Sequence, residues 1–161
     1  SMPWKRISKV VTDKSFQRIG SVSNAHVGSD FESAIAALFA RDGLDLRRNF
    51  AVSVGAGKTT KTRKFDLGLD DPAILVECKS HTWTTGGNIP SAKITVWNES
   101  MYYFYISPPE FRKIMVVRRS YSERRGVTLA GYYLRNYGHM IPPDVELWEY
   151  DEDAHSAERV G

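Results

Sequence analysis

The sequence predicts an α/β protein with a mixed central β-sheet flanked by helices. Its apolar patterns follow one another in the order helix, three strands, helix, strand, helix, strand, which is typical of this class. A tight turn, Asp70-Asp71-Pro72, separates two of the strands and predicts an antiparallel hairpin, so the sheet is expected to be mixed. A chain of 161 residues, 42% hydrophobic and 25% charged, suits one globular domain.

Residues 1–28 are polar and basic, and we expect them to form an N-terminal arm or lead-in. The first helix is predicted to open at Ser29, and Gly43 stands where a glycine commonly ends a helix. Ser29 and Glu32 have the spacing of a capping box. The helix is predicted from apolar residues at helical spacing: Phe31, Ile35, Leu38 and Phe39.

Residues 46–54 read as a strand, and residues 55–63 as a flexible basic turn. Residues 64–69 alternate strictly, which places Phe65, Leu67 and Leu69 on one face of a strand and Asp66 on the other. Residues 73–79 form the next strand, which is apolar until its last residues.

The second half continues with a helix over residues 91–105, ended by Pro108-Pro109. A buried strand at 113–118, a helix at 127–140 and a last strand at 145–150 follow. The predicted domain therefore spans residues 29–150, and residues 151–161 are expected to form an acidic C-terminal tail.

The formal charge of +3 conceals a gradient along the chain. Residues 144–161 hold seven acidic residues and only Arg159 as a base, so the rest of the chain is strongly basic. A basic body favours a polyanionic partner. The single cysteine, Cys78, excludes an internal disulfide framework and a zinc site of several thiolates, and an intracellular setting without a membrane segment is expected.

Charged residues interrupt the apolar strand at its end. Glu77 and Lys79 share one face of that strand, and the hairpin brings Asp66 alongside them. Burying such charges costs several kcal/mol each unless they are paired or bind a metal. Two carboxylates and a backbone carbonyl would suit magnesium, and the lysine could orient a water. The alternative is an ion pair between Glu77 and Lys79, with Asp66 as a charge at the strand edge.

The combination of Asp66 in a strand, a tight turn and then Glu77-Cys78-Lys79 resembles the PD-(D/E)XK nuclease superfamily, which has the restriction-endonuclease-like fold. The resemblance covers roughly residues 29–118. It implies that Asp66, Glu77 and the Cys78 carbonyl bind the catalytic metal and that Lys79 positions or activates the attacking water. Phe65 replaces the proline of the motif, a change that many members tolerate.

Two further side chains have two interpretations each. Members of the superfamily often supply an acid from the helix before the hairpin, so Glu32 is either a metal ligand or only a helix cap. His81 either touches a phosphate or is a histidine satisfied locally at the strand end.

Basic residues that could contact a phosphate backbone lie in two places, and the alternative for both is a solvated loop. They are Lys58, Lys61 and Arg63 at the basic turn and Arg118 and Arg119 after a later strand. The turn is not a nucleotide-binding P-loop, because Val52 stands where that pattern needs glycine.

The resemblance implies an endonuclease that uses Mg²⁺, with Mn²⁺ as a substitute, to hydrolyse double-stranded DNA as a homodimer. A restriction or host-defence enzyme of a prokaryote or phage is the leading interpretation. A junction-resolving or repair nuclease, a non-catalytic nucleic-acid-binding module on the same fold, and an interaction domain with an incidental basic face are the alternatives. The target sequence, and the choice between DNA and RNA, stay open.

Overall fold

The computed structural model describes residues 24–161. Its three helices are α1 (Asn24–Ala40), α2 (Ser91–Tyr105) and α3 (Leu129–Tyr137). Its strands are β1 (Arg47–Val54), β2 (Lys61–Asp70), β3 (Ala73–Lys79), β4 (Arg112–Arg118), β5 (Tyr121–Ser122), β6 (Val127–Thr128), β7 (Val145–Asp151) and β8 (Ser156–Arg159). None of the helices in this part of the chain is long and apolar enough to cross a membrane.

The central sheet has six strands in the order β1-β2-β3-β4-β7-β8. The β3–β4 and β4–β7 pairs are parallel, and the other three pairs are antiparallel. The prediction of a mixed α/β sheet flanked by helices is therefore confirmed. Because β3 and β4 run in the same direction, their carboxyl ends, Lys79 and Arg118, lie at the same edge of the sheet.

Both faces of the sheet are covered, since successive residues of the central strands enter different apolar clusters. The α1-side core joins α1 to the sheet through Phe31, Ile35, Leu38, Phe39, Leu67, Ile74, Val76, Ile114, Val116, Trp148 and Tyr150. The α2-side core joins the opposite face to α2 and α3 through Phe50, Phe65, Leu75, Trp97, Met101, Phe104, Met115, Val117, Leu129, Tyr133 and Leu147. The result is a three-layer arrangement with the sheet in the middle.

The strict alternation expected along β2 is wrong at Asp66. Phe65 packs in the α2-side core and Leu67 in the α1-side core, although two residues apart they should share a face. The β1–β2 register pairs the residues on either side of Asn49 and Asp66 but not these two, and Asn49 has a positive φ of 50°. A left-handed residue in a strand turns the backbone over, as a β-bulge does, and this reverses the faces.

Several predicted boundaries are also corrected. The first helix begins at Asn24, so residues 24–28 belong to α1 rather than to an arm, while residues 1–23 lie outside the described part. The helix expected at 127–140 is reduced to α3, because Val127 and Thr128 pair with β5 instead. The acidic segment 151–161 is not a separate tail: β8 pairs with β7 at the sheet edge.

Gly68 leaves space that the Phe50 ring fills. A Cβ at Gly68 would lie 2.5 Å from two carbons of that ring, in the α2-side core. We expect Gly68→Ala to lower the free energy of unfolding by about 1–3 kcal/mol, because the ring must move in a packed interior. Urea denaturation measures this change. Gly57→Ala, where nothing lies within 4 Å of the added Cβ, is the matched control and should change stability by less than about 0.5 kcal/mol.

Candidate active site

The site is built where β2 and β3 separate. Their ladder ends at the pair Leu67–Val76, so Asp66 and Glu77, the next residues on each strand, stand opposite each other without ladder bonds. The freed backbone groups bond to the two carboxylates instead. The Asp66 N–H donates to Glu77 Oε2 (3.0 Å), and the Cys78 N–H donates to Asp66 Oδ2 (2.8 Å). The backbone of each strand thus fixes the position of the carboxylate on the other strand.

Glu77 is almost fully buried, with only 2% of its surface exposed, and is held by two further donors. Arg63 Nη2 donates to Oε1 at 2.6 Å, and Ser100 Oγ of α2 donates to the same oxygen at 3.4 Å. The Arg63 guanidinium in turn lies 3.9 Å from the centroid of the Tyr103 ring. The sequence analysis did not predict that Arg63, Ser100 and Tyr103 lie at this site. The alternating pattern of β2, continued back to its first residue, Lys61, would have placed Arg63 on the same face of the strand as Phe65.

The environment of Asp66 disfavours its charged form. Burial, followed by the negative charges of Glu77 and Glu32, raises the pKa of Asp66 to about 7 even though the Cys78 N–H lowers it. A carboxyl group whose pKa is raised by a neighbouring carboxylate is a common feature of sites that bind a cation or handle protons.

Lys79 lies two residues beyond Glu77, at the carboxyl end of β3, with 8% of its surface exposed. Within the described chain its ammonium group forms no ion pair, and the partner of Glu77 is Arg63 instead. The alternative of a Glu77–Lys79 ion pair is therefore wrong. The stem of Lys79 is covered while its ammonium group reaches solvent, so the charge is available to a ligand at this edge of the sheet.

Glu32 does not form the expected capping box. Because α1 begins at Asn24, Ser29 lies inside the helix and its Oγ accepts a hydrogen bond from Arg48 Nη1 (3.3 Å). Glu32 pairs with the same arginine at 3.8 Å. Burial raises the pKa of Glu32, the Arg48 charge opposes this shift, and the Glu77 charge adds to it, so Glu32 faces the two strand carboxylates.

Cys78 packs against the α1-side core while its backbone lies beside Asp66. Burial, together with the charges of Asp66 and Glu32, raises the pKa of its thiol well above 9.0, so the thiol stays protonated and unreactive. The side chain is a core residue, and only the main chain of Cys78 belongs to the site.

β3 ends at Lys79, so the strand does not continue to His81. Trp97 Nε1–H donates to His81 Nδ1 at 3.1 Å, and this leaves the His81 proton on Nε2. Burial, then the charges of Lys93 and Lys79, lowers the pKa of His81 to about 4. His81 is therefore a neutral histidine near pH 7, with a local partner.

The predicted phosphate-contacting residues differ in exposure. Lys58 and Lys61 are exposed at the β1–β2 hairpin tip, and no helix follows that turn, as expected for a sequence that is not a P-loop. Arg63 does not extend from the hairpin tip, because its side chain is largely covered and forms an ion pair with Glu77. Arg118 is also buried, 3.5 Å from Glu152 and stacked over Phe31, so only Arg119 of that pair is exposed.

The donors around Asp66 fit a hard divalent cation in their chemistry. Two carboxylates that repel each other and a neighbouring backbone carbonyl are oxygen ligands of the kind that magnesium prefers. Among the described residues, no three His, Cys, Asp or Glu side chains come together as a metal-holding group. Glu32 as a metal ligand stays a prediction, as does the carbonyl of Cys78 that the resemblance adds to the set.

No protein-family model matches this chain, and neither the curated proteins nor the solved structures contain a match to it. The class that the fold and site define is therefore an α/β protein with a carboxylate pair and a buried lysine at the carboxyl end of a central strand.

Replacing Asp66 tests its raised pKa. The folded-state pKa of about 7 exceeds the usual 3.8, so the contribution of Asp66 to stability is full below pH 4 and is lost as the pH rises through 7. Asp66→Asn removes this loss. With EDTA present, we expect the variant to gain stability over the wild type, and to gain about 2–3 kcal/mol more at pH 8 than at pH 5.

Urea denaturation at the two pH values measures the gain. Asp70→Asn is the control, since Asp70 lies on the same strand but is exposed and pairs with Arg47 at the surface. An Asp66→Asn gain that is equal at both pH values would show that Asp66 is ionised normally.

Proposed function

We propose that this chain is a metal-dependent endonuclease that hydrolyses DNA phosphodiester bonds, of the restriction or host-defence type. One observation carries the proposal: Asp66 and Glu77 stand opposite each other where β2 and β3 separate, and Lys79, two residues beyond Glu77 at the end of β3, has no ion-pair partner among the described residues. A structural role explains a paired charge better than an unpaired one.

The fold supports the same proposal. The helix, the antiparallel hairpin, the following helix and the next parallel strand occur in the order that the resemblance to the PD-(D/E)XK superfamily implies. The restriction-endonuclease-like fold is part of this proposal, as is the assignment of roles to the residues that match the motif.

Asp66, Glu77 and the Cys78 carbonyl would hold Mg²⁺, or Mn²⁺ in its place. When bound, such an ion supplies charge neutralisation at a phosphate and lowers the pKa of a coordinated water. The Lys79 ammonium group would position the attacking water and neutralise charge that develops on the phosphoryl oxygens. Glu77 is almost fully buried and Asp66 is half-buried, so charge interactions with these two carboxylates are stronger than they would be at the surface.

The substrate would be double-stranded DNA. Lys58 and Lys61 project from the hairpin tip into solvent, where contacts with the phosphate backbone cost no burial. Because one site cuts one strand and the two strands of a duplex are related by a dyad, a symmetric homodimer is the simplest arrangement for cutting both.

Cleavage of supercoiled plasmid tests the proposed activity. Wild-type protein should nick or linearise plasmid with Mg²⁺ but not with EDTA. Lys79→Met keeps the side-chain length without the charge and should lower the rate at least about 100-fold, as loss of a positioned proton-handling or charge-stabilising group commonly does. Lys64→Met, on the exposed face of β2, is the matched control and should retain the rate.

Thermal melting confirms that both variants are folded. Activity that survives Lys79→Met would refute the assignment of the site. Salt-sensitive DNA binding without cleavage would favour the non-catalytic module on the same fold.

The hairpin tip gives a second test, which concerns binding alone. The double variant Lys58→Ala/Lys61→Ala should bind duplex DNA more weakly, and the slope of log affinity against log salt should fall by about 2, roughly 0.9 for each lost phosphate contact. Fluorescence anisotropy in the presence of EDTA measures both. An unchanged slope would show that the tip is only a solvated loop.

A further inference from the structure

The charge of Arg63 is placed inside the carboxylate site. Its Nη2 lies 2.6 Å from Glu77 Oε1, and the side chain is only 25% exposed. Arg63 belongs to β2, three residues before Asp66, so the strand that supplies one carboxylate also supplies the cation for the other. β2 therefore positions both the Asp66 carboxylate and the Arg63 guanidinium at the site.

Two aromatic rings also contact the Arg63 guanidinium. It lies 3.9 Å from the Tyr103 ring centroid and 5.5 Å from that of Phe65, contacts that favour a cation. Arg63 Nε is buried without a hydrogen-bond partner. The group therefore cannot leave Glu77 without exposing the aromatic contacts and leaving a buried glutamate unpaired, which is costly.

Counting the acceptor positions shows how much room for metal is left. A carboxylate offers about four lone-pair sites. On Glu77, Oε1 already accepts from Arg63 and Ser100, and Oε2 accepts from the Asp66 N–H. On Asp66, Oδ2 accepts from the Cys78 N–H, and Oδ1 accepts from no described donor. What is left is one position on Glu77 Oε2, one on Asp66 Oδ2 and both on Asp66 Oδ1, so the open positions lie mainly on Asp66 and Arg63 leaves Glu77 only one.

We propose that Arg63 is a permanent cation of this site, which stands in place of a second metal ion and restricts the site to a single divalent cation. The inference rests on the metal site of the proposed function and adds its stoichiometry. Removing the guanidinium frees Glu77 Oε1 and leaves its negative charge without an ion-pair partner. The vacated acceptor then becomes available to a second divalent ion.

Isothermal titration calorimetry with Mn²⁺ on protein stripped with EDTA tests the stoichiometry without DNA. The wild type should bind one Mn²⁺ per chain, and Arg63→Met should bind two. Arg63→Lys keeps a cation beside Glu77 and should bind one. Arg47→Met, which removes an exposed arginine paired with Asp70, is the matched control and should also bind one.

Thermal melting gives a second readout. Arg63→Met should melt at a lower temperature than the wild type in EDTA and should recover more than the wild type when Mn²⁺ is added. Two ions on the wild type, or one on both the wild type and Arg63→Met, would overturn the proposal. If Arg63→Met does not fold, Arg63→Gln removes the charge but keeps a polar side chain, and it should bind two Mn²⁺; one ion on Arg63→Gln would overturn the proposal.

The two proposals fail in different ways. One Mn²⁺ on the wild type and two on Arg63→Met, without plasmid cleavage, would refute the nuclease and keep the role of Arg63. Plasmid cleavage by a wild-type protein that binds two ions would support the nuclease and refute the role proposed for Arg63. No binding of Mn²⁺ to any variant would overturn both.

Discussion

The exchange of hydrogen bonds between Asp66 and Glu77 is the constraint on which the site depends. Where β2 and β3 separate, two backbone N–H groups lose their ladder partners, and each finds a carboxylate on the opposite strand. Unsatisfied buried N–H groups are costly, so the same bonds that close the sheet also fix the acids. The separation of the strands and the position of the carboxylates are one structural feature.

Two of the three carboxylates at this site have an arginine partner, and the third has none in the described part of the chain. Arg63 and Arg48 pair with Glu77 and Glu32, while Asp66 has no cation beside it and its pKa rises to about 7. The energetic cost of the site is therefore concentrated on Asp66, the residue that a bound cation would relieve. A site that is destabilised when empty and stabilised by its ligand is common among functional sites.

β3 and α2 were predicted with correct bounds, because β3 is a continuous apolar run that follows a turn and α2 has apolar residues at helical spacing before Pro108-Pro109. The reversal of faces at Asp66 could not be predicted from β2 alone, since its cause, the left-handed Asn49, lies on β1. The position of Arg63 could not be predicted either. A run of basic residues indicates a solvated turn, and only the tertiary structure shows that Glu77 of β3 faces this arginine. Periodicity identifies elements, whereas partners across strands come from tertiary structure.

The acidic end of the chain closes one edge of the sheet. β8 pairs with β7, and the Leu147 N–H and carbonyl bond to the backbone of Val160 and Gly161. Without this segment, an apolar strand would present its unpaired backbone groups to solvent, which is a template for aggregation. Proteolytic loss of residues 156–161 alone would expose this edge and favour association between chains, so an intact mass is the quality check that matters during purification.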